Sequence, residues 1–348
     1  MRRLYSLLLL GVLALASCGG SGDQGATSAG DSADSNLAIA GDSLNGSQDA
    51  AALTAEPTTT PSTLIAYVKE AKLYILESES GRHTLLASEQ EPVFNCTFSI
   101  SGFTLFYTVV RDEHLILKRA LLEKGSVQQI EEICDMGVSP EQCKAQATGA
   151  PSEMFISTYG DVVLPYGFSM DFVNFVKLKK CDPTDGTLST IEGDERHEVQ
   201  PYGMMPTRIP TEDLAEEEDE LYQNAAHQLI YKGIPVSSEL GLKTEDLEAL
   251  QLTFWYPSLS PDGKKLLFGA VTSIGDLGHG PFCIADIDGQ NQRIIGSDIS
   301  APIRPKWGHN NELVYAEQGE DGAKLLLRKP DYNAIAELAS GMSYWCVW

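Results

Sequence analysis

Positive charge is scarce in this chain. Its 348 residues carry 25 Lys and Arg against 49 Asp and Glu, a formal charge of −24. That balance argues against a nucleic-acid partner and against electrostatic adhesion to anionic lipid. Long apolar runs are also missing, since the run at 4–15 is too short to cross a bilayer comfortably. No Cys-x-x-Cys pair occurs, which speaks against a zinc knuckle or a thioredoxin-type site. His83, His114, His197, His227, His279 and His309 are scattered, with no two at metal-ligand spacing. Gly167-Phe168-Ser169-Met170-Asp171 and Gly341-Met342-Ser343-Tyr344-Trp345 both lack the final glycine of a hydrolase nucleophile turn. Asp182–Gly186 and Asp286–Gly289 open like calcium loops but lack the further acidic ligands and closing glutamate. We therefore expect no catalytic residue, no metal and no cofactor.

The N-terminus has the layout of an export signal. Met1-Arg2-Arg3 is basic, 4–15 is apolar, and Ala16-Ser17 are small. Leu15-Ala16-Ser17-Cys18 resembles the lipobox of bacterial lipoproteins. The resemblance implies cleavage before Cys18 (residues 1–17 being the signal peptide), followed by a diacylglyceryl thioether and an amide-linked acyl chain, such as palmitate, on Cys18. Gly19 stands where aspartate marks inner-membrane retention in some bacteria, which favours the outer membrane, on its periplasmic or its surface face. Three acyl chains exceed the two-signal threshold for stable anchoring. Residues 18–63 then form a lipidated, Gly/Ser/Ala/Asp-rich linker that buries too little apolar surface to fold. As a coil it reaches roughly 35–40 Å.

The rest of the chain, 64–348, is punctuated by hairpins. Residues 256–270 read YPSLSPDGKKLLFGA: a strand, the turn Ser260-Pro261-Asp262-Gly263, and a second strand. Proline presets φ for the turn and glycine tolerates φ > 0. Related segments run over 92–109 with Gly102 at the turn, 151–165 with Gly160, and 305–315 with Asn311. A second hairpin belongs to each unit, as at Asp288-Gly289, Asp185-Gly186 and Ser80-Gly81. Four short strands per unit, repeated, is the signature of propeller blades.

The wording of 256–270 and of IADIDGQNQRII is similar to the TolB-type β-propeller repeat, over 64–348. The resemblance implies an all-β propeller of about six four-stranded blades, with five and seven as the alternatives. Residues 64–67 match the strand after a repeat turn, yet no strand precedes them. The missing strand is matched by Tyr344, Trp345, Val347 and Trp348 at the C-terminus, which predicts closure of the ring by the two ends. Residues 192–251 form an insertion large enough for a degenerate blade. In it 211–221 has seven acidic residues of eleven, the acidic run being 212–220, and reads as a surface helix; 244–250 reads as another.

Six cysteines remain beyond Cys18. An exported chain permits disulfides, and Cys134 with Cys143, close in sequence, is the candidate pair. An anchor, a leash and a disc of loops without a catalytic constellation predict a monomeric scaffold in the cell envelope that binds another envelope protein. The alternatives are a propeller enzyme, such as a polysaccharide lyase, and a sensor of a small ligand or Ca²⁺. Three or more His, Asp or Glu side chains converging at one channel mouth would favour the enzyme.

Overall fold

The computed structural model describes residues 62–86, 90–144, 149–169, 174–193, 195, 199–205, 220–224, 226, 228–240, 253–271, 281–296, 305–319, 322–332 and 335–348. The leader, Cys18, the linker to residue 61 and the segment 244–250 lie outside them. Of the run 211–221 only Glu220 and Leu221 are described, and Leu221 opens a strand where a helix was expected.

The described residues are all-β with almost no helix. Strands β1 (Leu64–Lys69), β2 (Lys72–Glu77) and β3 (Arg82–Leu85) form the first meander. A second sheet holds β4 (Val93–Phe98), β5 (Thr104–Arg111), β6 (His114–Glu123) and β7 (Ser126–Asp135). After a 3-10 turn at Glu141–Cys143, a third holds β8 (Phe155–Ile156), β9 (Val162–Ser169), β10 (Asn174–Cys181) and β11 (Leu188–Glu192). The fourth has three strands, β12 (Leu221–Gln223), β13 (Leu229–Tyr231) and β14 (Ile234–Pro235). The fifth contains β15 (Thr253–Leu259), β16 (Lys265–Val271), β17 (Phe282–Asp286) and β18 (Arg293–Gly296). The chain ends with β19 (Lys306–Trp307), β20 (Leu313–Gly319), β21 (Gly322–Arg328) and β22 (Ile335–Val347).

Strand β22 serves two meanders. Residues Ile335 to Met342 pair with β21, and Met342 to Val347 pair with β1. Met342 is shared, facing Ala323 on one side and Lys69 on the other. Gly341, at φ 67°, and register shifts beside it allow the strand to change partners. The first and last meanders are thereby fused into one seven-stranded sheet, β19-β20-β21-β22-β1-β2-β3. Among the described residues the five sheets are separate, and none closes on itself by hydrogen bonding. Divided at β22, they comprise six meander units, numbered here in chain order from β1–β3 to β19–β21.

Units 6, 1, 2 and 3, and units 4, 5 and 6, pack face to face through strands that are apolar on both sides. Strands β1 and β4 are buried almost throughout, so they cannot be edge strands with one wet face. One core joins units 6, 1 and 2 through residues such as Leu325, Trp345, Ile75 and Leu105. Others join units 2 and 3, units 4 and 5, and units 5 and 6. Between units 3 and 5 the connection is a backbone strap. Tyr202 N–H donates to the Ile156 carbonyl at 2.7 Å and Met205 N–H to that of Pro257 at 2.9 Å.

Candidate functional site

The first hairpin turns of units 2, 3, 5 and 6 have a common construction. In unit 2 the Gly102 N–H donates to the Ser99 carbonyl at 3.0 Å, with Gly102 at φ 74°. Unit 5 repeats this with Gly263 and Ser260 at 2.8 Å, and unit 3 with Gly160 and Ser157 at 3.0 Å. In unit 6 Asn311, at φ 60°, donates to Gly308 at 3.1 Å. Asparagine is among the few residues that tolerate that conformation. The opening serine hydroxyl caps the loop: Ser260 Oγ accepts from Lys265 N–H at 3.0 Å and Ser99 Oγ from Thr104 N–H at 3.2 Å. Ser260 also donates to Asp262 at 2.7 Å, and that bond holds the Asp262 carboxyl below its ordinary range. Gly308 replaces the serine because a Cβ there would lie 2.6 Å from the Thr63 side chain.

The turns also differ in length. Ser260 N–H reaches the Lys265 carbonyl and Ser99 that of Thr104, five residues on. Ser157 and Gly308 reach Asp161 and Glu312, four residues on. One missing residue, rather than decay of the fold, explains why these copies match the best-kept repeat poorly.

The C-terminus draws several of these turns together. Trp348 pairs with Leu64 through both backbone bonds, 2.8 and 3.2 Å. Its ring lies on Gly102, where a Cβ would come within 2.2 Å of the indole, and its Nε1 donates to the Ile100 carbonyl at 3.1 Å. Its other side stacks on His309, with ring centroids 5.0 Å apart. Asn311 in turn accepts from the Asp262 N–H at 2.9 Å. Units 1, 2, 5 and 6 therefore share one contiguous rim. Pro261 and Asp262 are exposed upon it.

What that rim displays was not read from the sequence. Phe103 is 67% exposed and Ile100 is 38% exposed, both on the unit 2 turn. The matching turn of unit 3 carries Tyr159, 88% exposed, with Tyr202 exposed beside it through the Ser157–Pro201 bridge. Residues 99–103, 157–160 and 308–311 contain no Asp, Glu, Lys or Arg, in a chain of charge −24. A signal was available: Phe103 stands where the best-kept repeat has Lys264, directly after the turn glycine.

Tyr344 and Trp345 of the C-terminal strand are buried, Val347 pairs with Ile65, and Trp348 is half-buried on the rim. Two contacts span the units rather than following the chain. Tyr344 Oη accepts from Met154 N–H at 2.8 Å, joining units 1 and 3. Lys306 Nζ, on β19, lies 2.8 Å from Glu153 Oε1 just before β8, joining units 6 and 3. Lys306 also lies 5.9 Å from the Trp345 ring centroid.

The structure does not bring Cys134 to Cys143. Cys134 lies at the end of β7 with its sulfur 3.4 Å from that of Cys181 on β10, while Cys143 is buried in the 3-10 turn. Closeness in sequence misled because Cys134 closes a ten-residue strand packed against the next sheet, whose strands are the nearer partners.

The described histidines are dispersed: His83 bonds Tyr67 at 2.9 Å, His114 bonds Asp135 at 2.9 Å, and His309 stacks on Trp348. Among the described residues, no three His, Cys, Asp or Glu side chains gather as a metal-holding group. A shallow cleft between units 5 and 6 is lined by Lys265, Asn291, Gln292, Arg293, Pro330 and Asp331. Lys265 there is ion-paired with Asp286, and both it and Arg293 lie over the Tyr332 ring.

No protein-family model matches the chain, and no curated protein matches it. Solved structures that resemble it include TolB from Acinetobacter baumannii, at 14% identity and TM-score 0.45, covering 85% of this chain and 68% of that one. The tricorn protease is similar at 14% identity and TM-score 0.37, over 80% of this chain and 26% of that one. A chain of the nidogen/laminin complex is similar at 10% identity and TM-score 0.35, over 82% and 98%. At such identities nothing about ligand or partner passes from those proteins to this chain.

Proposed function

We propose that the six units form a closed propeller and that the chain is a monomeric, non-catalytic scaffold of the cell envelope. It is held by a lipid on Cys18, in the outer membrane, and docks another envelope protein on its turn rim. What supports the ring is the pattern of contacts: units 6, 1, 2 and 3 and units 4, 5 and 6 share cores, and Lys306–Glu153 and Tyr344–Met154 connect units that are not neighbours in chain order. A ring leaves no terminal sheet edge for aggregation, which is the physical advantage of sharing β22 between both ends.

The observation that carries the binding role is the exposure of Ile100, Phe103 and Tyr159 on the charge-free turns 99–103 and 157–160 of an otherwise acidic molecule. Exposed apolar groups held on rigid turns are how protein interfaces begin: aromatic anchors supply area at small entropy cost, and depletion of charge avoids desolvation. Capture from crosslinked envelopes tests the reading with three forms: wild type, Phe103→Asp/Tyr159→Asp, and Cys18→Ala. One partner recovered by the wild type and lost with the rim variant is the expected result. Cys18→Ala should leave the membrane fraction. Equal recovery by wild type and rim variant, or no reproducible partner, overturns the proposal.

A further inference from the structure

Four of the six cysteines beyond Cys18 meet in pairs. Cys96 on β4 and Cys346 on β22 are both buried, with their sulfurs 3.4 Å apart and 250 residues between them in sequence. Cys134 on β7 and Cys181 on β10 are likewise 3.4 Å apart, 47 residues separated. Each pair joins different units, 1 with 2 and 2 with 3, and neither lies within one hairpin. Cys143 and Cys283 are buried in apolar cores, and burial pushes both thiols up to about 12. Nothing there would make them nucleophiles.

We propose that Cys96–Cys346 and Cys134–Cys181 are disulfide sites that staple unit 2 to its two neighbours, with Cys143 and Cys283 remaining thiols. The oxidant is a second disulfide, either a small-molecule disulfide or that of a thiol oxidoreductase. A Cys134 thiolate attacks one sulfur of that disulfide, breaks its S–S bond and expels one thiolate. The Cys181 thiolate then attacks the Cys134 sulfur and expels the second. Overall two cysteine thiols lose two electrons and two protons, and the external disulfide becomes two thiols.

The order of attack follows from exposure and charge. Cys134 is half-buried and reachable, and its hydrogen bond with Cys181 holds it below the ordinary thiol range, while Cys181 is raised. Cys96 and Cys346 have no solvent access in the folded molecule. Their oxidation therefore precedes the seating of β22, and the bond, once made, is protected from reductant.

In the cell, formation of the staples rests on the reading that the chain is exported. The test does not: the full chain carrying Cys18→Ser is refolded in a glutathione redox buffer, acid-quenched, alkylated under denaturing conditions, digested and mapped by mass spectrometry. The expected map shows two linked peptide pairs, 96 with 346 and 134 with 181, and alkyl groups on Cys143 and Cys283 alone. A 134–143 link, or alkylation of all six thiols, overturns the proposal. Thermal unfolding supplies a second readout. Cys96→Ser, Cys346→Ser and the double variant should each melt about 10 °C lower than the oxidised parent, and equally so. Reductant present throughout refolding should abolish that gap. A gap that survives it, or additive losses in the double variant, would mean that the thiols matter only for packing.

Discussion

Replacing Lys306 by methionine removes a charge while keeping most of the stem that lies near Trp345. Its partner Glu153 is then left without its 2.8 Å counter-charge, with side chains only 18% and 12% exposed for Lys306 and Glu153 respectively. At that distance and an effective dielectric near 20, the gross attraction is about 6 kcal/mol. Desolvation offsets much of this, so the pair itself contributes little net stability. Removing one partner is a different matter, because a buried charge is stranded, at a cost of about 3–5 kcal/mol. Lys306→Met and Glu153→Gln should each lose that much in urea unfolding. The double variant strands no charge and should lose less than either single variant, giving a coupling of at least about 2 kcal/mol. Coupling across 153 positions of sequence requires units 3 and 6 to meet. Losses that add within about 0.5 kcal/mol would show that they do not, and would falsify the closed arrangement proposed from this contact.

Other predictions address the rim and the pH response. Gly102→Ala combines a positive φ with a Cβ that would enter the Trp348 ring, so we expect about 2–3 kcal/mol of destabilisation and a red-shifted tryptophan emission. Gly263→Ala meets open space at φ 68° and should cost only about 1 kcal/mol, without the spectral change. Equal costs at the two sites would refute the seating of Trp348 on Gly102. Trp345→Ala should cost about 3–5 kcal/mol, measured by denaturant titration, since the ring is buried in the core shared by units 6, 1 and 2. Hydrogen bonds from Arg111 and Lys118 hold Glu91 at about 2, against an ordinary 4.5. A carboxyl lowered on folding stabilises fully above its unfolded value, and that share is lost as pH falls through the folded one. Stability should therefore drop between pH 4.5 and 2, and Glu91→Gln should flatten that stretch of the curve.

Strands announced by a turn were legible in the sequence. The hairpins at Ser260–Gly263, Asp288-Gly289, Asp185-Gly186 and Ser80-Gly81 all lie between paired strands, because Gly and Pro fix local backbone geometry wherever they stand. The long hairpin of β6 and β7 carries no such turn signal. Its turn, Lys124-Gly125, carries no Asn, Asp or Pro, and ten-residue strands exceed the pattern of the other units. Residues 228–235 form β13 and β14, two short strands reversed at Lys232-Gly233. What the sequence could not supply was proximity between units. The cysteine pairs, the Lys306–Glu153 contact and the stacking of Trp348 between Gly102 and His309 each join residues brought together only by packing of separate sheets. Phe103 and Tyr159 were visible as letters, but only burial distinguishes an aromatic on a rim from one in a core.

The claim that the rim is the working surface is tested most directly by site-specific photo-crosslinking in intact cells. A photoreactive residue is placed singly at Phe103, Tyr159, Leu85 or Ile335, all exposed in the structure. The first two lie on first-hairpin turns, the last two on strands away from them. The account predicts one discrete crosslinked protein, of the same mass, from positions 103 and 159 and none from 85 and 335. Adducts from 85 or 335 with none from 103 and 159 would contradict it.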